Sequence, residues 1–136
     1  MSRRIESQVV GFNCHPEKVY EFIGNFDNFT SLLPTQVANW QSTGDYCSFE
    51  VKGLATLGLR ITTKTPFSNV SMKAEGKLPF GFTLDTFVQE TAPQQCQVQL
   101  IIDADMNPFI AKMVENPIQN YLDMLLPMLK QELEKE

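Results

Sequence analysis

One histidine, one tryptophan, three cysteines and three arginines are all that 136 residues supply of these types, and each shortage closes off a class of chemistry. With His15 alone, neither a Ser-His-Asp triad nor a metal site of several histidines can be built. Cys14, Cys47 and Cys96 are odd in number and include no Cys-x-x-Cys pair, so neither a disulfide framework nor a zinc site is indicated. Cations are outnumbered as well: 11 Lys and Arg stand against 16 Asp and Glu, for a net charge of −5. Arg3-Arg4 is only a dipeptide and the lysines are scattered. The chain therefore lacks the clustered cations that neutralise nucleic-acid phosphates or bind an anionic membrane. No window reaches the roughly 18–20 apolar residues of a membrane span. The start, Met1 to Gln8, has no apolar core of signal-peptide length. A cytoplasmic chain is expected, with no nucleic-acid partner and no stable membrane insertion; nothing in the sequence fixes an oligomeric state.

What is present reads as an ordinary globular chain. Hydrophobic residues make up 43% and charged residues 20%, and the length suits a single domain over residues 1–136. Ten Phe are enough to furnish an aromatic core or the walls of an apolar cavity.

Ile5 to Phe12, rich in β-branched and apolar residues, reads as a first strand. Pro16 suits the first position of a helix, and Val19, Phe22, Ile23 and Phe26 recur at the spacing of one buried helical stripe. A second short helix carries Phe29, Leu32 and Leu33 and stops at Pro34. From Val37 to Met106 the period becomes two. Val37–Thr43 is a short strand, and Tyr46–Val51, Leu54–Thr65, Val70–Lys77, Phe82–Gln89 and Cys96–Met106 each place apolar residues on one face and polar ones on the other. Short turns separate them, which predicts an antiparallel meander with one covered and one wet face.

The rest is helical from Asn107-Pro108 to about Lys135. Lys112, Asn116, Gln119, Asp123, Lys130 and Glu134 form a narrow polar stripe, and the wide apolar remainder suits a helix cradled in a curved sheet. Pro117 follows Asn116 in a way that could open a fresh helix, whereas Pro127 predicts a bend, because an interior proline costs about 3 kcal/mol.

This order of elements, with Asn13-Cys14-His15-Pro16-Glu17-Lys18-Val19-Tyr20-Glu21-Phe22-Ile23, then Phe26-Asp27-Asn28-Phe29 and Leu33-Pro34, resembles the START-like superfamily over essentially the whole chain. The nearest branch is the polyketide cyclase/dehydrase and lipid-transport group, also called SRPBCC. The resemblance implies the α+β helix-grip fold: a seven-stranded curved antiparallel sheet, in the order β-α-α-β6-α, around a long C-terminal helix. It also implies a cavity between sheet and helix that holds a lipid, sterol, polyketide or hormone. It carries over no catalytic residue set and no cofactor.

The alternation itself supplies candidate walls. These are Phe49, Leu57, Leu59, Met72, Phe82, Leu84, Leu100 and Ile102 from the sheet, Met113, Val114, Tyr121 and Met124 from the helix, and Trp40. Thr63 and Thr86 fall on the same inner face as its few polar groups, with Tyr121 opposite. Glu50, Glu75, Asp85, Asp103 and Asp105 alternate onto the wet face, away from any common site where two carboxylates could share a proton. His15, just before the first helix, fits a capping role. The inner face is apolar, which favours holding a small hydrophobic molecule over transforming one. Two other functions stay open: a cyclase or dehydratase acting on a hydrophobic substrate, and a protein-interaction module with a filled core and an exposed patch near Leu78-Pro79-Phe80-Gly81.

Overall fold

A computed structural model describes residues 2–32, 37–51, 55–76 and 80–134. The alternating segments pair in sequence. The strands are β1 (Ser2–Glu6), β2 (Val10–Phe12), β3 (Val37–Ser42), β4 (Tyr46–Val51), β5 (Ala55–Thr65), β6 (Asn69–Glu75), β7 (Phe82–Ala92) and β8 (Gln95–Asp105). All pair antiparallel in the order β1-β8-β7-β6-β5-β4-β3, with β2 also on β8. Helix α1 (Pro16–Ile23) and a 3-10 helix (Phe26–Leu32) follow β2, and α2 (Pro108–Glu134) ends the chain. This is the expected α+β architecture, a curved antiparallel sheet around a long C-terminal helix. Met1, Leu33, Pro34, Leu54, Lys77, Leu78, Pro79 and Lys135, named in the sequence reading, lie outside the described residues. No helix of the described residues is long and apolar enough to cross a membrane.

The first strand is broken in two, which raises the expected seven strands to eight without adding a lane to the sheet. Glu6 pairs with Ile101 and Val10 with Val98, so four steps on one strand match three on the other and one residue is extra. Ser7 bridges the gap. Its N–H donates to the Leu100 carbonyl at 2.8 Å, and its Oγ, in place of a strand carbonyl, accepts the Leu100 N–H at 2.9 Å. The Ser7 carbonyl turns aside to accept from Gln99 Nε2 at 3.1 Å. Further irregularities fall between Ala38 and Gln41, Ile61 and Thr63, and Glu90 and Ala92. Each bulge sharpens the local twist, and a sheet interrupted in four lanes is bent around its concave face.

That face is the core. Along β8, Cys96, Val98, Leu100, Ile102 and Ala104 are all buried, with Val88 and Thr86 beside them on β7 and Val70 and Met72 on β6. Helix α1 lies across β7 and β6 and buries Val19 and Ile23. His15 caps it, with Nδ1 accepting the Glu17 N–H at 3.1 Å. Helix α2 approaches β1, β2, β8 and the 3-10 helix most closely and buries Ala111, Leu122, Leu126, Leu129 and Leu133. Asn107 caps it, with Oδ1 accepting the Ile110 N–H at 2.9 Å. It runs unbroken through Pro117 and Pro127, so no new helix starts at Asn116. Both prolines sit on the exposed side, where water can serve the Met113 and Asp123 carbonyls that they leave unpaired.

The polar stripe of α2 is not simply solvated. Gln119 donates to the Glu6 carbonyl at 2.6 Å, Asp123 accepts the Gln8 N–H at 3.2 Å, and Lys130 donates to the Gly11 carbonyl at 2.7 Å. Glu134 accepts from Asn13, and Arg3 forms an ion pair with Glu115 at 2.8 Å. One side of the helix is therefore sewn to the free edge of β1 and β2.

Candidate ligand site

Burial on the concave face is uneven. The inner residues of β6 and β8 are closed off, with Met72 2%, Leu100 2% and Ile102 7% exposed, and Leu57 on β5 is 8% exposed. Phe49, Leu59, Phe82, Leu84 and Trp40, on the same face, stay half-buried. A strand residue under a helix keeps accessible surface only where the two layers do not close on each other. Half-buried wall residues therefore occur in two places, at Trp40, Phe49 and Leu59 on β3–β5 and at Phe82 and Leu84 at the start of β7.

Register brings this wall together. Phe49 stands opposite Leu57 and Cys47 opposite Leu59, while Ile61, Met72, Leu84 and Ile102 continue one row across four strands. The Trp40 indole stacks on Phe49 with ring centroids 5.5 Å apart, and on Phe29 at 6.1 Å with the planes 5° from parallel. Phe26 meets the same indole edge-on at 6.2 Å. The result is an aromatic block from the 3-10 helix, β3 and β4, with the Trp40 N–H buried and without an acceptor. Thr86 Oγ1 is likewise buried and unpaired, between Val70 and Leu100.

From the helix, Val114, Ile118 and Leu125 are half-buried against the core and share one flank with the more exposed Tyr121 at 100° per residue. Met113 and Met124 do not join them: at 64% and 42% exposed they lie further round the helix, on its open side with Phe109. Tyr121 is the informative residue. It leaves 36% of its surface accessible, yet desolvation, reinforced by the nearby Cys47 sulfur, pushes its phenol up to about 12. The side chain is therefore partly exposed while its hydroxyl end lies in a poorly solvated position near Cys47. Burial also pushes the Cys47 thiol up to about 12, so Tyr121 and Cys47 are both neutral at physiological pH.

Thr63 is a correction. The bulge after Ile61 turns it to the convex face opposite Ser71, and brings Lys64 to the inner lane opposite Val70. Lys64 escapes burial by reaching the C-terminal end of α1 beside Gly24, where the helix dipole suits a cation. The carboxylates assigned to the wet face are tied up there. Glu75 pairs with Arg60 at 2.8 Å, Asp103 with Arg4 at 3.3 Å, Glu50 accepts from Asn39 at 2.9 Å, and Asp85 accepts from Ser71. Two open grooves lie elsewhere. One, of about 360 Å³, runs beside Val9, Phe87 and Gln97; the other, of about 490 Å³, lies between Tyr20, Asp45 and Lys64. Neither includes a candidate wall residue.

No protein-family model matches the chain, and no curated protein does. Solved structures do. Truncated norcoclaurine synthase from Thalictrum flavum superposes with a TM-score of 0.82 at 11% identity, over 100% of this chain and 96% of that one. The same enzyme in complex with dopamine and hydroxybenzaldehyde gives 0.80 at 12% identity, over 100% and 89%. A START superfamily protein from Mycobacterium smegmatis gives 0.76 at 12% identity, over 97% of each chain. At such identities the likeness is one of fold, and that fold is the helix grip.

Proposed function

We propose that this chain is a single START-like domain that holds a small, neutral, hydrophobic molecule of lipid or polyketide type between α2 and the β3–β5 side of the sheet, in the cytoplasm and without transforming it. The observation that carries this is Tyr121, partly accessible yet with its hydroxyl desolvated beside Cys47, together with the half-buried Phe49, Leu59 and Trp40 on β3–β5. Apolar surface supplies the affinity, and the phenol, held in its protonated form, offers one hydrogen bond to orient the ligand. A charged ligand would meet no counter-ion among the described residues of this wall.

An enzyme acting on a hydrophobic substrate is the second reading, favoured by the likeness to norcoclaurine synthase in complex with dopamine and hydroxybenzaldehyde. It needs a group that exchanges a proton near neutral pH, whereas Tyr121 and Cys47 both sit far above it. The test is direct because Trp40 is the only tryptophan and belongs to the wall. Titration with a neutral fluorescent fatty-acid ester or with naphthol should change Trp40 emission saturably, and native mass spectrometry of the purified chain should show a co-purifying small molecule. No saturable change and no bound mass would overturn the reading.

A further inference from the structure

We propose that Cys14 and Cys96 form an oxidation-dependent disulfide that clasps the corner between β2 and α1 to the start of β8. Phe12, the last residue of β2, stands opposite Cys96 in the β2–β8 ladder, and Cys14 follows two residues later in the bend that leads to α1. The two thiols lie close enough to act on each other. Both side chains are buried, Cys14 at 6% and Cys96 at 1% exposed. Cys47, on β4, has Leu59 as its strand partner and belongs to the opposite side of the sheet.

The corner is also firmly held. Asn13 donates to Glu134, Lys18 to the Leu133 carbonyl, and Lys130 to the Gly11 carbonyl. The sulfurs are therefore kept together by contacts that do not depend on the bond.

A peroxide suffices as oxidant. The Cys14 sulfur attacks one peroxide oxygen, the O–O bond breaks, and a sulfenic acid and one water result. The Cys96 sulfur then attacks the Cys14 sulfur, the S–O bond breaks, and the hydroxyl leaves with the Cys96 proton as a second water. Each sulfur gives up one electron overall and the peroxide gains two. Cys14 reacts first, because it is the more accessible and has Lys18 and Lys130 beside it. Burial raises both thiols, so the reaction is slow at neutral pH, prefers small oxidants to bulky ones, and yields a bond shielded from reductant.

The experiment treats the folded, full chain with hydrogen peroxide, then alkylates it in denaturant and digests it without reduction. The expected product has lost two hydrogens, contains a peptide joined through Cys14 and Cys96, and carries the alkyl group on Cys47. Its Tm rises by about 10 °C over the reduced chain, and Cys14→Ala or Cys96→Ala abolishes the mass change. Recovery of three alkylated cysteines, sulfinic acids in place of the cross-link, a bond through Cys47, or a cross-linked chain that melts below the reduced one would each overturn the proposal. Should a variant fail to fold, the wild-type peptide map and melting curves decide alone.

Discussion

Ser7→Ala tests the most local feature of this fold, the break in its first lane. The Ser7 hydroxyl replaces a strand carbonyl as acceptor for the Leu100 N–H at 2.9 Å, and donates in turn to the Gln8 carbonyl at 2.9 Å. Alanine removes the acceptor while the Ser7 carbonyl stays turned toward Gln99. Leu100 is 2% exposed, so water cannot substitute. A buried donor left unpaired costs about 1–3 kcal/mol, and alanine supplies no compensating contact. A loss of about 2 kcal/mol is therefore expected in urea unfolding, with an unchanged m-value. Hydrogen exchange adds a local readout: the Leu100 amide should lose protection relative to Val98 and Ile102 on the same strand. A loss below about 0.5 kcal/mol with Leu100 still protected would show that the lane closes over the gap without the hydroxyl, and the account of the break would be wrong.

Three further perturbations have defined outcomes. Because burial lifts Cys47 and Cys96 to about 12, the folded state keeps protons that the unfolded chain sheds from about pH 9; their contribution is complete below that pH and falls toward pH 12 at about 1.4 kcal/mol per pH unit for each group. Urea titrations at pH 8 and 10.5 on the reduced protein check this, and equal stabilities at the two would refute it. Leu126→Ala, at a side chain 1% exposed beneath α2, should cost about 2–5 kcal/mol by calorimetry or denaturant, and a smaller loss would mean the helix does not rest on that contact. Tyr121→Phe should leave stability within about 0.5 kcal/mol while weakening a carbonyl-bearing probe by about 3–10-fold; equal affinity would remove Tyr121 from the site.

Much of the architecture is legible where one face of a strand is apolar throughout. Cys96, Val98, Leu100, Ile102 and Ala104 alternate with Gln97, Gln99, Ile101 and Asp103, and the structure buries the first set. Legibility ends where the marker residues end. Thr62, Thr63, Lys64 and Thr65 contain nothing apolar to reveal that the bulge has exchanged the faces, so alternation alone points Thr63 inward. Ser7, Gln8 and Val9 continue a strand-like composition, and the extra residue shows only in the register of the partner strand. On α2 the apolar arc is too wide for sequence to select a direction. Met113 and Met124 were as eligible as Ile118 and Leu125, and only the fastening of the polar stripe to β1 and β2 fixes which flank turns inward.

That fastening has a consequence for the protein at high concentration. A curved, unclosed sheet has two margins at which a stray strand from another molecule can add and seed aggregation. At the β1–β2 margin the carbonyls of Glu6 and Gly11 and the amides of Gln8 and Asn13 are already bonded to side chains of α2. At the other margin, β3 is kinked at Asn39, whose φ of 55° breaks the straight ladder that an incoming strand requires. The same stitches that orient the helix therefore guard the sheet against indiscriminate self-association.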